Sequence, residues 1–160
     1  MTENLESLPL ADLLKSYCNV LNELRRRGIT RSSNNPVADY TEHLVARALG
    51  LTRTGNSVPG HDAVDLEGRR YQIKGQRLTP QNPSTQLSAI RNLPKRSFEF
   101  LIAVVYRPDF VVDYAAQVPY ETVVQLSTYN AHTNSHRLLM KRAFLVHPGV
   151  IDVTSRVAAE

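Results

Sequence analysis

Tryptophan is missing from this sequence, and cysteine occurs once, as Cys18. A single thiol excludes an internal disulfide framework and any zinc site built on paired cysteines, and leaves Cys18 the expected role of a small buried apolar side chain. Long apolar runs are missing too. The longest, "FLIAVVY" from Phe100 to Tyr106, is strand-sized and far short of the ~18 to 20 residues that a membrane span requires. The opening "MTENLESLPL" has early acids and no basic-then-apolar order, so neither a secretory nor a mitochondrial address is expected. These absences point to a cytoplasmic protein with no membrane partner. Charge is only mildly unbalanced, at 19 Lys and Arg against 15 Asp and Glu, net +4. That excess permits a polyanionic partner without requiring one.

What is present suffices for one core. A chain of 160 residues with 42% hydrophobic content has the length of a single domain. Leu10, Leu13, Leu14, Tyr17, Cys18, Leu21 and Leu24 recur at three- and four-residue intervals, the stripe of an amphipathic helix, and Arg25, Arg26, Arg27 and Gly28 close it. Residues 1–30 thus form a helical extension expected to pack on a core of residues 31–160. After the turn-rich "TRSSNNP", Pro36 opens a second helix and Gly50 stops it, with Val37, Tyr40, Leu44, Ala48 and Leu49 as its buried side and Glu42 at the margin.

Two short strands flank Glu67-Gly68, and residues 78–96 form a polar connector with room for a helical turn or two. Phe98–Tyr106 and Phe110–Gln117 pattern as a hairpin around Pro108-Asp109, the first strand apolar enough for burial on both faces. Pro119 and Glu121 mark a helix start, and residues 136–146 pattern as a further strand. Helices and strands in this order predict an α/β (α+β) domain, a central mixed sheet flanked by helices.

The chemistry concentrates in "GHDAVDLEGRRYQIKGQR", residues 60–77. Side chains two apart on a strand share a face, so Gln72 and Lys74 point one way while Tyr71 and Ile73 point the other. The turn decides which acid meets them. A three-residue loop Leu66-Glu67-Gly68 sets Asp62 opposite Gln72, whereas a two-residue loop Glu67-Gly68 flips the parity and brings Asp65 instead. Oxygen ligands converging there suit a hard cation, and Glu42 is the candidate second carboxylate. A lysine beside such a cation can orient a nucleophile and offset negative charge in the transition state. The ordinary alternatives are an edge-protecting lysine with its ammonium in water and surface ion pairs for Glu42 with Arg47 or Arg53. His61, and the His132/His136 pair in a loop-like segment, do not make a zinc site.

Glu42 in "YTEHLVARALG", Asp62 in "GHDAVD" and Gln72-Ile73-Lys74 in "YQIKG" resemble the PD-(D/E)XK nuclease superfamily, in the branch with Mrr-type restriction enzymes and archaeal Holliday-junction resolvases. The resemblance covers residues 42–74 in motif. It implies a restriction-endonuclease-like domain and favours Asp62 over Asp65, hence the three-residue loop. Further implied are Mg2+ (or Mn2+) held by Glu42, Asp62, Gln72 and the Ile73 main-chain carbonyl, with Lys74 acting on the attacking water, and an endonuclease on DNA, with a homodimer expected by analogy to nucleases that cut both strands by symmetry. On that fold Arg69, Arg70, Gln76, Arg77, Lys95 and Arg96, with Arg91 nearby, would follow the nucleic-acid backbone. Gln72 stands where the usual motif has a second acid, so a non-catalytic nucleic-acid- or protein-binding module is the alternative.

Overall fold

The computed structural model describes residues 4–56 and 58–160. Helix α1 (Leu10–Arg26) follows Pro9 and ends at Arg27 before Gly28, whose φ of +71° reverses the chain. Of its apolar stripe, Leu21 alone is buried. Cys18 is exposed rather than buried, because it lies on the flank of the stripe and the stripe itself stays largely open to solvent.

Helix α2 (Val37–Leu49) is entered through Asn35, whose Oδ1 accepts the Val37 N–H at 3.1 Å, and is stopped by Gly50 at φ +66°. Val37, Tyr40, Leu44, Ala48 and Leu49 pack as the periodicity predicts, and Thr41 and Val45 add a second buried row. The helix presses this row onto a six-stranded mixed sheet in the order β1 (Thr52–Arg53), β2 (Ala63–Val64), β3 (Arg70–Arg77), β5 (Phe100–Tyr106), β6 (Val112–Pro119), β9 (Ile151–Asp152). All neighbours are antiparallel except β3 and β5, which run parallel.

The parallel pair needs a crossover, and residues 78–99 make it. They hold β4 (Ile90–Arg91) and a 3-10 turn at Leu93–Lys95 in place of a full helix. The central strand β5 is buried on both faces, as its unbroken apolar run demands. Leu101, Ala103 and Val105 face a cluster under the crossover with Leu87, Ile90 and Leu93, while Ile102, Val104 and Tyr106 face α2. Each Leu, Ile or Val among them contributes roughly 1.5–3 kcal/mol on leaving water.

Helix α3 (Tyr120–Leu126) begins where Pro119 predicts. The strand expected over 136–146 is confined to β8 (Ser135–Arg137), which pairs with β7 (Thr128–Asn130) and β4 in a separate three-stranded sheet. Arg142–Val146 is a 3-10 turn instead. Pro148 and Gly149 then return the chain to β9 and α4 (Thr154–Ala158), which the sequence pattern did not reveal. No helix among the described residues is long and apolar enough to cross a membrane.

Candidate active site

The β2–β3 register pairs Ala63 with Tyr71 and Val64 with Arg70. The Asp65 N–H closes the turn on the Arg69 carbonyl at 3.1 Å, and Gly68 takes φ +80°, so the loop is the three residues Leu66-Glu67-Gly68. Asp65 is spent on that loop. Its carboxylate accepts the Glu67 and Arg69 N–H groups, the Arg69 guanidinium at 2.6 Å and the Tyr71 hydroxyl. It does not reach the face of Gln72 and Lys74.

Strand β3 has eight residues but β2 only two, so beyond Tyr71 one edge of β3 has no strand beside it. Asp62 sits at that gap. Its own N–H donates to the Tyr71 carbonyl at 2.8 Å, and its carbonyl accepts from Thr54 N–H at 2.9 Å. The next free donor on β3, the Ile73 N–H, is taken by the carboxylate Oδ2 at 2.7 Å, and the Gln72 amide nitrogen reaches the same oxygen at 3.3 Å. A side chain thus replaces the missing strand. Odd-numbered residues of β3 turn their main-chain groups toward β2, so the Ile73 carbonyl faces the same edge.

Glu42 arrives from α2. The approach is close because Gly75 has no side chain: a Cβ there would stand 2.1 Å from Thr41 Oγ1. Thr41 is fixed in turn, donating to the Val37 carbonyl at 2.6 Å and accepting from the Tyr106 hydroxyl at 2.9 Å. Glu42 is half-buried, and its Oε2 is 3.4 Å from Arg53 Nη2. Lys74, also half-buried, donates from Nζ to the Ala89 carbonyl of the crossover at 3.1 Å.

Glu42, Asp62, Gln72, Ile73 and Lys74 line one open cavity of about 480 Å³, with Gln76 and Arg77 farther along β3. Asn35, Asn82 and Ser88 complete its wall from α2's entry and the crossover. Glu42 and Asp62 also border an adjoining cavity of about 230 Å³ that includes His61 and Asp39. Asn35 and Ser88 escaped sequence reasoning because each lies in a segment that patterns only as turn or connector. Arg53 escaped it as a site residue because β1 is too short to show periodicity.

The electrostatics are those of charges gathered against their preference. Burial, and then the charge of Asp62, hold the Glu42 carboxyl above its ordinary range despite Arg53. Burial pushes the Lys74 ammonium below its ordinary range, while Asp62 and Glu42 pull the other way. Two carboxylates with a neutral amide and a carbonyl form an all-oxygen donor set, which fits a hard divalent cation that keeps part of its water shell. Among the described residues, no three His, Cys, Asp or Glu side chains gather in a metal-binding group. A cation here would therefore depend on the neutral oxygens and water for most of its ligands.

The remaining basic residues are distributed differently. Arg69, Arg70, Lys95 and Arg96 do not line the cavity. Arg69 is tied to Asp65 and Glu67, Arg70 to Glu99 at 2.5 Å, and Arg96 to Glu121. Arg77 lies over the Phe110 ring, 4.7 Å from its centre, and donates to the Pro108 carbonyl. Gln76 donates to the Ser84 carbonyl at 2.9 Å. No protein-family model matches the chain, and no curated protein shows significant similarity to it.

Proposed function

We propose that the protein is a divalent-metal-dependent phosphodiesterase that cuts DNA, on a fold of the restriction-endonuclease-like type. The observation that carries this reading is the convergence of Glu42, Asp62, Gln72 and Lys74 on one cavity at the open edge of β3. The path of the chain supports it: a helix bearing an acid, a hairpin bearing Asp62 and then Gln72-x-Lys74, and a parallel neighbour strand reached by crossover.

Glu42 and Asp62 would hold Mg2+ or Mn2+ with the Gln72 amide oxygen and the Ile73 carbonyl. The bound cation would supply Lewis-acid polarisation of a phosphoryl oxygen and acidification of water. The chain's own groups do the rest. The Ile73 N–H fixes Asp62 in one orientation, so no rotamer freedom is lost when substrate arrives. Lys74, held by the Ala89 carbonyl, orients the attacking water and offsets the charge that develops as the phosphorus–oxygen bond forms. Its depressed basicity brings it nearer to exchanging a proton with that water than a surface lysine would be.

The test is nicking or linearisation of supercoiled plasmid with magnesium or manganese, against a chelator control. Lys74→Ala and Asp62→Asn should each lower the rate by ~100-fold or more and leave DNA binding intact. A second reading, a binding module without catalysis, draws on two contacts: Arg53 already pairs with Glu42, and Gln72 presents its amide nitrogen to Asp62. Binding with no cleavage in either metal would select that reading.

A further inference from the structure

The small sheet β4-β8-β7 borders a cavity that the site above does not use. Its strands pair Ile90 with His136 and His136 with Tyr129, and residues directly opposite across antiparallel strands turn their side chains to the same face. At one end of this row Ile90 is fully buried in the core with Leu93. At the other end the cover stops, leaving His136 half-buried and Tyr129 55% exposed. There a cavity of about 500 Å³ opens, lined by Asn92, Pro94, Lys95, Tyr129, Asn134 and His136, with the 3-10 turn Leu93–Lys95 as its opposite wall.

The lining has the chemistry of a nucleotide site. The Tyr129 and His136 rings lie 5.3 Å apart between centres, tilted by 55°, and give a flat heterocycle a π-face to stack on. The tyrosine is already fixed, because its hydroxyl donates to Asn134 Oδ1 at 3.0 Å across the β7–β8 turn, so little rotamer freedom is lost on binding. The amides of Asn92 and Asn134 each hold both donors and an acceptor, which suits the mixed edge of a base. Lys95 brings a cation for a phosphate: it is exposed and outside the ion pairs of the described residues. None of the lining residues is an acid. The volume falls in the range of about 300–1,000 Å³ usual for small-ligand sites.

Position and stacking restrict which nucleotide this is. Ser88 lines the first cavity and Asn92 the second, and four residues of chain span at most about 14 Å, so one strand of nucleic acid can reach both. A base inside a duplex is stacked on its neighbours and cannot offer its face to a tyrosine. We infer that the cavity beside Tyr129 takes an unpaired nucleotide of a DNA strand whose adjoining duplex lies at the first cavity. The substrate class is then DNA in which duplex borders a single-stranded segment. The inference rests on the phosphodiesterase reading for DNA as the partner, but its residues are separate from Glu42, Asp62, Gln72 and Lys74, and the binding it describes needs no cutting.

Fluorescence anisotropy in chelator tests it, comparing a blunt duplex with the same duplex carrying a 5′ or a 3′ single-stranded tail. At least one tailed duplex should bind ~10-fold more tightly than the blunt one. Tyr129→Ala should bring the tailed duplex down to the affinity of the blunt one, while Tyr129→Phe, which keeps the ring, should retain the gain; circular dichroism checks that both variants fold. Equal affinity for blunt and tailed duplex, none for either included, overturns the inference. So does a gain that survives Tyr129→Ala, or a cavity that binds free deoxythymidine monophosphate but no tail. A gain lost in Tyr129→Ala with no cleavage in magnesium or manganese upholds this inference and overturns the phosphodiesterase reading, whereas cleavage without any gain from a tail does the reverse.

Discussion

Glu42 and Lys74 are held where burial works against their charge, and this can be read as stability. An acid whose folded pKa is raised costs the fold stability as pH climbs from its ordinary 4.5 through the folded value. A lysine whose folded pKa is lowered costs stability at every pH below that value, and the cost disappears as pH rises toward 10.5. At neutral pH both charges weigh against folding, as is common for groups retained for chemistry. Glu42→Gln should therefore raise the calorimetric unfolding temperature and abolish metal-dependent cleavage together; a lower unfolding temperature would contradict the electrostatic account. Asp39 has the opposite sign. Burial raises its pKa, but the Arg31 and Ser32 N–H groups and the Ser32 hydroxyl more than offset this. Its stabilisation is complete above 3.8 and is lost as pH falls through the lower folded value. Urea unfolding of Asp39→Ala should show a loss of about 1–3 kcal/mol at neutral pH that shrinks in acid. Gln72 and Lys74 were legible in the sequence because strand parity sets them on one face, whereas the turn left Asp62 and Asp65 both open until the resemblance favoured Asp62, and Glu42 entered only as a candidate second carboxylate from a helix. Asp39 was not legible, since an acid that accepts from main-chain groups eight and seven residues back leaves no local pattern.

Among the elements, the seam between α2 and β3 sets the reach of Glu42. Gly75→Ala would place a methyl group 2.1 Å from Thr41 Oγ1, and Thr41 has little room to move because it bonds both Val37 and Tyr106. The variant should lose about 1–3 kcal/mol by overpacking, with cleavage falling further than stability explains because α2 carries Glu42 away from Asp62. Chemical denaturation alongside the plasmid assay checks both. Helices α1 and α2 and strand β5 were plain in the sequence, since each has a long periodic or unbroken apolar run. β1, β4 and β9 have two residues each, too few for a period to register. The stretch 136–146 misleads for a related reason. Leu138 and Met140 are buried while Leu139 is exposed, an alternation that reads as strand. Its backbone, however, leaves the ladder after Arg137 to bond the crossover, Leu87 N–H to the Leu138 carbonyl and Met140 N–H to the Thr85 carbonyl, both at 3.0 Å.

For the molecule as a whole, the count of 19 Lys and Arg overstates what is available to a polyanion. Arg69, Arg70 and Arg96 face acids of their own chain, whereas Arg91 and Lys95 are exposed and absent from the ion pairs of the described residues. Arg91 stands on β4 two residues beyond Ala89, whose carbonyl accepts from Lys74, which sets it on the crossover side of the site. If duplex DNA enters there, each phosphate neutralised by a free cation adds about 0.9 to the slope of log affinity against log salt. Arg91→Ala and Lys95→Ala should each reduce that slope by about 0.9 when binding is measured by fluorescence anisotropy in chelator, where no cutting intervenes. Arg70→Ala should leave it unchanged, because that guanidinium is already neutralised by Glu99. Equal losses from all three substitutions would show that the ion pairs open on binding, and that charge count rather than pairing governs the contact.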